Sequence, residues 1–401
     1  MDHARKRVCF TVVCLVAAFS SWTAVAQDRR GFNFNNLSVS PFINVEYIYD
    51  SNVESDKRGE KDDTIVRINP GVDITYSGNN WGLKGNGWFS DDRYHKYDDL
   101  NELRYGESLG FYADSEKGLH FEINQRYVKS SQDDQRIANE ARWRDRDELS
   151  LDSALSYQMS EKTSVTLSGS YTRLDYDNNP TKYSSDLYGS TRWTMGLELA
   201  RRITEKSNLL LSGEYLIYKS DGGVTSANLD ATSTGYSVMA GFGSAATKKI
   251  RYRVLTGATF FEFADSKQLT GWTYSLDATW AINQKLALTV VGSSFFQPSE
   301  STQNQAEQIY ALSAGMTYRP TRKLSARFDL MGRREETSYN VNGANATPTE
   351  HILSFRARVD YELARYITLY SGLEYMTKIS DGANGAEYDR YRGSLGLNLR
   401  Y

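Results

Sequence analysis

The sequence predicts an all-β chain: a closed, antiparallel transmembrane β-barrel of about 18 strands. Three observations carry that reading. The final stretch, Tyr388 to Tyr401, places Tyr391, Gly393, Leu395, Leu397, Leu399 and Tyr401 on one face of an extended strand and Arg390, Arg392, Ser394, Gly396, Asn398 and Arg400 on the other. A strand apolar on one side and arginine-rich on the other fits a wall between lipid and water. The same alternation recurs from Val39 onward, broken by tight turns about 40 residues apart, which is one hairpin with its loop. Finally, 28 tyrosines, 30 glycines and six prolines suit an aromatic-girdled antiparallel sheet.

Taken in order, the chain begins with basic Arg5, Lys6 and Arg7, an apolar core from Val8 to Phe19, and Ala24-Val25-Ala26. That pattern predicts a secretory signal peptide over 1–26, cleaved after Ala26, and its core is too short to span a bilayer. Cys9 and Cys14 both lie inside it, so the mature chain is expected to carry neither disulfides nor thiolate metal sites. With 47 basic against 50 acidic residues and a net charge of −3, nothing points to a nucleic-acid partner. No later apolar run approaches the length of a membrane helix, a result a barrel tolerates because every second strand residue can be polar.

Residues 27–38 are expected to form a short periplasmic lead-in and 39–401 a single barrel domain. The period-2 runs place strands near 39–50, 63–76, 81–94, 102–114, 119–130, 147–159, 163–176, 188–203, 208–220, 233–245, 250–264, 271–282, 286–297, 307–319, 324–337, 351–363, 367–378 and 388–401. An even count puts both termini on one side. Short turns, such as Ser160-Glu161-Lys162-Thr163 and Thr204-Glu205-Lys206-Ser207, then belong to the periplasm. Longer stretches near 51–62, 131–146, 177–187, 221–232, 298–306, 338–350 and 379–387 face outward. Pro70 interrupts the second strand without a backbone donor, and a bulge is expected there.

Charges facing lipid near the midplane cost about 2 to 4 kcal/mol for Arg or Lys, so the polar faces must look inward. That argument selects Arg251, Arg253, Arg327, Arg333, Arg356, Arg358, Arg390 and Arg392 as pore-lining cations and Glu148, Asp152 and Glu198 as pore-lining anions. About 18 strands enclose an aqueous channel or a plugged lumen. The uneven charge either sets a transverse field favouring anionic or polar solutes or is cancelled by pairing between neighbouring strands. Tyr47, Tyr49, Trp81, Trp193, Tyr215, Tyr218, Trp272 and Tyr391 are expected in interfacial belts, and Trp88 and Tyr112 are inward aromatics.

Catalytic chemistry is not indicated. His95, His120 and His351 have no metal-ligand spacing, and no Gly-x-Ser-x-Gly elbow occurs. His351 and Ser354 would point to opposite faces of a strand. Asp91, Asp92, Asp98 and Asp99 near His95 make only a loose acid–histidine grouping. The acidic runs Glu54-Ser55-Asp56 and Asp62-Asp63 suit either cation bridging of lipopolysaccharide or a solvated surface.

Two resemblances add to this reading. Ser394, Gly396, Leu399 and Tyr401 are spaced like the C-terminal signal that outer-membrane barrels present to their assembly machinery, with Tyr401 where Phe is usual. The segments Tyr47-Ile48-Tyr49-Asp50-Ser51-Asn52-Val53, Asn69-Pro70-Gly71-Val72-Asp73-Ile74 and Trp88-Phe89-Ser90-Asp91-Asp92-Arg93-Tyr94 resemble the EpsL-like β-barrel porins associated with exopolysaccharide and capsule export clusters. That resemblance implies an outer-membrane pore in polysaccharide secretion that works with periplasmic export proteins and has neither catalytic residues nor a cofactor. The alternatives are a general or anion-preferring diffusion porin and a plugged barrel carrying surface loops for adhesion.

Overall fold

The computed structural model describes residues 31–55, 59–130, 145–177, 189–220, 231–244, 249–262, 268–298, 306–338, 349–381 and 387–401. The expected leader, with Cys9 and Cys14, lies outside them. The strands are β1 (Phe32–Phe34), β2 (Leu37–Asp50), β3 (Asp63–Ser77), β4 (Trp81–Tyr94), β5 (Glu102–Asp114), β6 (Leu119–Ser130), β7 (Arg146–Ser160), β8 (Thr163–Tyr176), β9 (Ser190–Thr204) and β10 (Ser207–Ser220). They continue as β11 (Ala231–Ser244), β12 (Ile250–Glu262), β13 (Gln268–Ala281), β14 (Leu286–Pro298), β15 (Ala306–Tyr318), β16 (Leu324–Ser338), β17 (Thr349–Ala364), β18 (Ile367–Ser380) and β19 (Tyr388–Arg400).

From β2 onward each strand pairs antiparallel with the next, and β19 pairs back onto β2 from Arg392↔Asp50 to Arg400↔Phe42. Of the 19 strands, only β1 stands outside the ring, so the closed barrel has 18. Residues 32–34 and 37–38, expected as lead-in, already belong to the sheet: β1 folds back on the start of β2, pairing Phe32 with Val39. Both described ends lie at the short-turn end, where the Phe32 and Tyr401 rings meet tilted at 4.8 Å and Tyr401 N donates to Pro41 O at 3.1 Å.

Alternation builds the two faces. On β7, Leu151, Leu155 and Tyr157 are exposed outward while Glu148 is buried inside. Tyr76 and Trp81 stack at 4.6 Å and Tyr366 and Tyr401 at 5.3 Å near the short turns; Tyr171 and Trp193 at 4.4 Å and Tyr375 and Tyr391 at 4.8 Å lie toward the long loops. These outward pairs form two aromatic belts around an apolar band. Tyr218 is not in either belt: at 6% exposure it points inward, because Tyr215 and its even-spaced neighbours take the outer face.

The bulge expected at Pro70 does not form. Pairing of β3 with β4 lapses between Ile68↔Asp91 and Gly71↔Trp88 and resumes in the same register. The Asn69 side-chain amide donates to Phe89 O at 2.5 Å, supplying a donor to the carbonyl that stands opposite proline. A side chain thus satisfies the orphaned acceptor, so no extra residue has to be inserted.

Candidate functional site

The inner faces enclose a cavity of about 1600 Å³, lined mainly by β2–β14 and by Arg400 of β19. Serine and threonine provide 21 of its lining residues, a composition that follows from short polar side chains at the inward positions of β7–β10, such as Ser150, Ser156, Thr166, Ser168, Ser170 and Thr194. Six cationic residues (Lys84, Arg126, Arg192, Arg251, Arg253, Arg400) meet six carboxylates (Asp73, Glu122, Asp152, Glu198, Glu214, Asp277). The lining is therefore dense in hydrogen-bonding groups and balanced in formal charge.

Four of the residues selected from the sequence, Arg251, Arg253, Asp152 and Glu198, line this cavity. The others stand on inward faces outside it, and each has an ion-pair partner. Arg253 reaches Glu198 over two intervening strands. Arg327 pairs with Asp329 (3.4 Å), Arg356 with Glu374 (2.8 Å), Arg358 with Asp360 (2.8 Å), and Arg333 with Glu335. Glu148 accepts from Arg126 at 3.0 Å. Arg390 and Arg392 both converge on Asp50, each with a nitrogen 2.7 Å from Oδ2. Local pairing thus cancels much of the arginine-rich C-terminal wall where it stands, and no one-signed wall faces the cavity.

Around β2–β4 the long-loop end is packed with side chains, and there the cavity is lined only from the short-turn halves of the strands. After β2 the chain turns inward: Asn52 and Val53 are fully buried, and Ser55, at a positive φ of 52°, accepts from Arg390 Nη1 at 3.0 Å. Val53 packs with Ile48, Ile65 and Tyr94, flanked by Tyr97 and Leu100. The carboxylate of Asp63, fully buried, accepts backbone N–H groups of His95, Lys96 and Tyr97 at 3.0–3.2 Å, holding the β4–β5 connection over the same spot. Two further inward clusters, Leu216–Phe261–Phe296 and Ile352–Met376–Tyr388, occupy the same end elsewhere around the ring. Sequence reasoning missed this cap. A lone Val53 in a charged loop and the paired Asp62-Asp63 were its only signals.

Of the acidic runs, Asp56 lies outside the described residues, and the remaining carboxylates have partners within the chain. Glu54 accepts from Lys61 at 2.7 Å, and Asp62 from Lys96 at 2.5 Å. The Lys96 hydrogen bond holds the Asp62 carboxyl below its ordinary range and lifts the Lys96 ammonium above its own. Among the described residues no group of three or more His, Cys, Asp or Glu is arranged to hold a metal ion. His351 is exposed on the outer face and Ser354 is buried inside, so they do not meet.

Gly396 and Tyr401, read as parts of an assembly signal, also have packing roles. A Cβ on Gly396 would sit 2.2 Å from Cζ of Tyr370, whose ring lies across it, and Arg358 covers the same ring at 3.9 Å. Ser394 stands on the same inward face, while Leu399 points outward beside Tyr401, which stacks on Tyr366. Trp88 and Tyr112 are likewise inward, lying over Gly106 and Gly82 of the neighbouring strands.

A closed antiparallel ring with a lipid-suited exterior and a polar interior defines an outer-membrane β-barrel protein of the porin-like kind. The chain belongs to the family "Putative beta-barrel porin 2", which it matches over residues 30–401. None of the curated proteins matches it significantly. Among solved structures it is similar to OccAB3 of Acinetobacter baumannii, at 8% identity over 92% of this chain and 100% of that one, with a TM-score of 0.45. It is also similar to the FrpB iron transporter of Neisseria meningitidis (7% identity, 92% and 82% covered, TM-score 0.46) and to the siderophore receptor PiuA of A. baumannii (10%, 93% and 82%, 0.47). At such identities the likeness concerns the fold.

Proposed function

We propose that this barrel is a conduit for a neutral or mixed-charge glycan, a component of exopolysaccharide or capsule secretion across the outer membrane, with both termini in the periplasm. The observation that supports it is the cavity lining: 21 serines and threonines with six cations against six carboxylates. Hydroxyls and paired charges replace the hydration of a polyol through many weak contacts, none strong enough to trap it. The glycan itself is suggested by the resemblance of the Tyr47–Val53, Asn69–Ile74 and Trp88–Tyr94 segments to export-associated barrels. Periplasmic export proteins, the barrel assembly machinery and lipopolysaccharide are the partners this reading entails. Charge balance makes the anion-preferring porin the weaker alternative, because no net positive lining repels cations.

The test is conductance in planar bilayers with added sugars. The proposal expects an ion current that long oligosaccharides block and their monomers do not. A current indifferent to polymer indicates a general diffusion porin. Absence of current indicates a plugged scaffold for surface loops.

A further inference from the structure

The wall is not uniform. The β13–β14 ladder runs only from Ala281↔Ala287 to Ser275↔Ser293, and the following five positions on each strand, 270–274 and 294–298, are not paired with each other. Each remains laddered to its other neighbour, β12 and β15 respectively. In place of the ladder stands a clasp of side chains. Ser294 Oγ accepts from Tyr274 N (3.2 Å) and donates to Trp272 O (3.0 Å); Thr273 Oγ1 donates to Ser294 O (2.7 Å), and Gln308 Nε2 donates to Trp272 O (3.0 Å). The end of β14 tucks inside β13: the Phe296 ring covers the inward face of Gly271, where a Cβ would lie 2.6 Å from it, and reaches Phe261 at 6.3 Å.

Both sides of this seam are apolar. Inside, Leu216, Phe261 and Phe296 are buried together with Leu269 packed on them, a greasy patch in an otherwise hydroxylated lumen. Outside, Trp272 and Tyr236 are 57% and 55% exposed in the belt toward the long loops. The cavity reaches the seam, since Leu216, Phe261, Thr273, Ser294 and Phe296 are among its lining residues. Backbone groups inside a bilayer must be satisfied, and the clasp satisfies some of them with side chains that part more readily than a continuous ladder.

We infer that the β13–β14 seam is a lateral port, closed here by Phe296 and the Ser294 clasp, through which the acyl chain of an amphiphile in the outer leaflet reaches the lumen. The occupant is a lipid acyl chain because lipid lies against the belt outside and the inner patch offers aliphatic and aromatic surface without charge.

The experiment reconstitutes the full chain in phosphatidylcholine vesicles with tritiated acyl chains. A photo-crosslinking benzoylphenylalanine replaces Leu216, an inward residue of β10 in the apolar patch behind the seam, which a chain in the surrounding bilayer cannot touch from outside. A second protein carries the crosslinker at Phe261, in case the first misfolds. Thr273→Cys with Ser294→Cys adds an oxidisable lock across the seam. The expected result is a lipid adduct that falls at least fivefold when the lock is oxidised and returns on reduction. No adduct at either position in the folded protein, or labelling equal in the oxidised and reduced states, overturns the port.

Discussion

Arg390 and Asp50, 340 residues apart in sequence, meet where β19 closes on β2, with Arg390 Nη2 2.7 Å from Asp50 Oδ2. Both are nearly or wholly removed from solvent, at 4% and 0% of their side-chain surface. The same carboxylate takes Arg392 Nε, and the same guanidinium holds Ser55, so one pair fastens the ring closure and the inturned loop together.

Removing one partner of such a pair strands the other. Asp50→Ala should therefore lower stability by about 3 to 5 kcal/mol, the usual cost of orphaning a buried charge. The double variant Asp50→Ala with Arg390→Met should recover part of that loss. The urea midpoint for loss of the heat-modifiable folded band on gels measures both.

At Pro70 the strand lacks a donor and Asn69 supplies one to Phe89 O. Asn69→Ala should cost about 1 to 2 kcal/mol by leaving a carbonyl unsatisfied. Pro70→Val, which restores the backbone N–H, should make the Asn69→Ala change nearly neutral. Unfolding midpoints of the two single variants and the double variant decide it.

Gly396 separates two explanations of the C-terminal strand. If its role is to seat Tyr370, Gly396→Val costs about 1 to 3 kcal/mol through overpacking, and Tyr370→Ala in the same chain relieves it. If the glycine acts in recognition by the assembly machinery, the second change gives no relief. The yield of folded barrel in membranes, beside refolding of purified protein in detergent, distinguishes them.

The charge-balanced cavity should discriminate weakly among small ions. Arg251→Glu with Arg253→Glu turns six cations against six carboxylates into four against eight. The reversal potential in a potassium chloride gradient should lie near zero for the parent and move toward cation preference in the variant.

Much of this architecture was legible in the sequence because alternation is local. The runs at 81–94, 102–114, 119–130 and 163–176 coincide with β4, β5, β6 and β8, and the inward assignment of Arg356 and Arg358 follows from Leu353 and Phe355 facing out. What could not be read depends on register and long-range proximity. Tyr218 looks like any strand-end tyrosine until its strand's parity is known. Asp50 announces nothing of Arg390, and the tuck of Phe296 over Gly271 requires knowing that the β13–β14 ladder stops at Ser275 and Ser293. Of the candidate site, the inward residues were visible. The pairing that neutralises most of the arginines among them was not, because a partner two residues along one strand and one across a neighbouring strand have equal sequence claims.

The most direct test of the account concerns two neighbours on β7, Leu151 facing out and Asp152 lining the cavity. Leu151→Cys and Asp152→Cys, each made with Cys9→Ser and Cys14→Ser, are exposed in intact membranes to a small charged maleimide and to a lipid-confined thiol reagent. The account predicts that position 152 takes only the charged reagent and position 151 only the lipid-confined one. The opposite pattern, or equal labelling of both positions by either reagent, would contradict an enclosed watery lumen behind a lipid-facing wall.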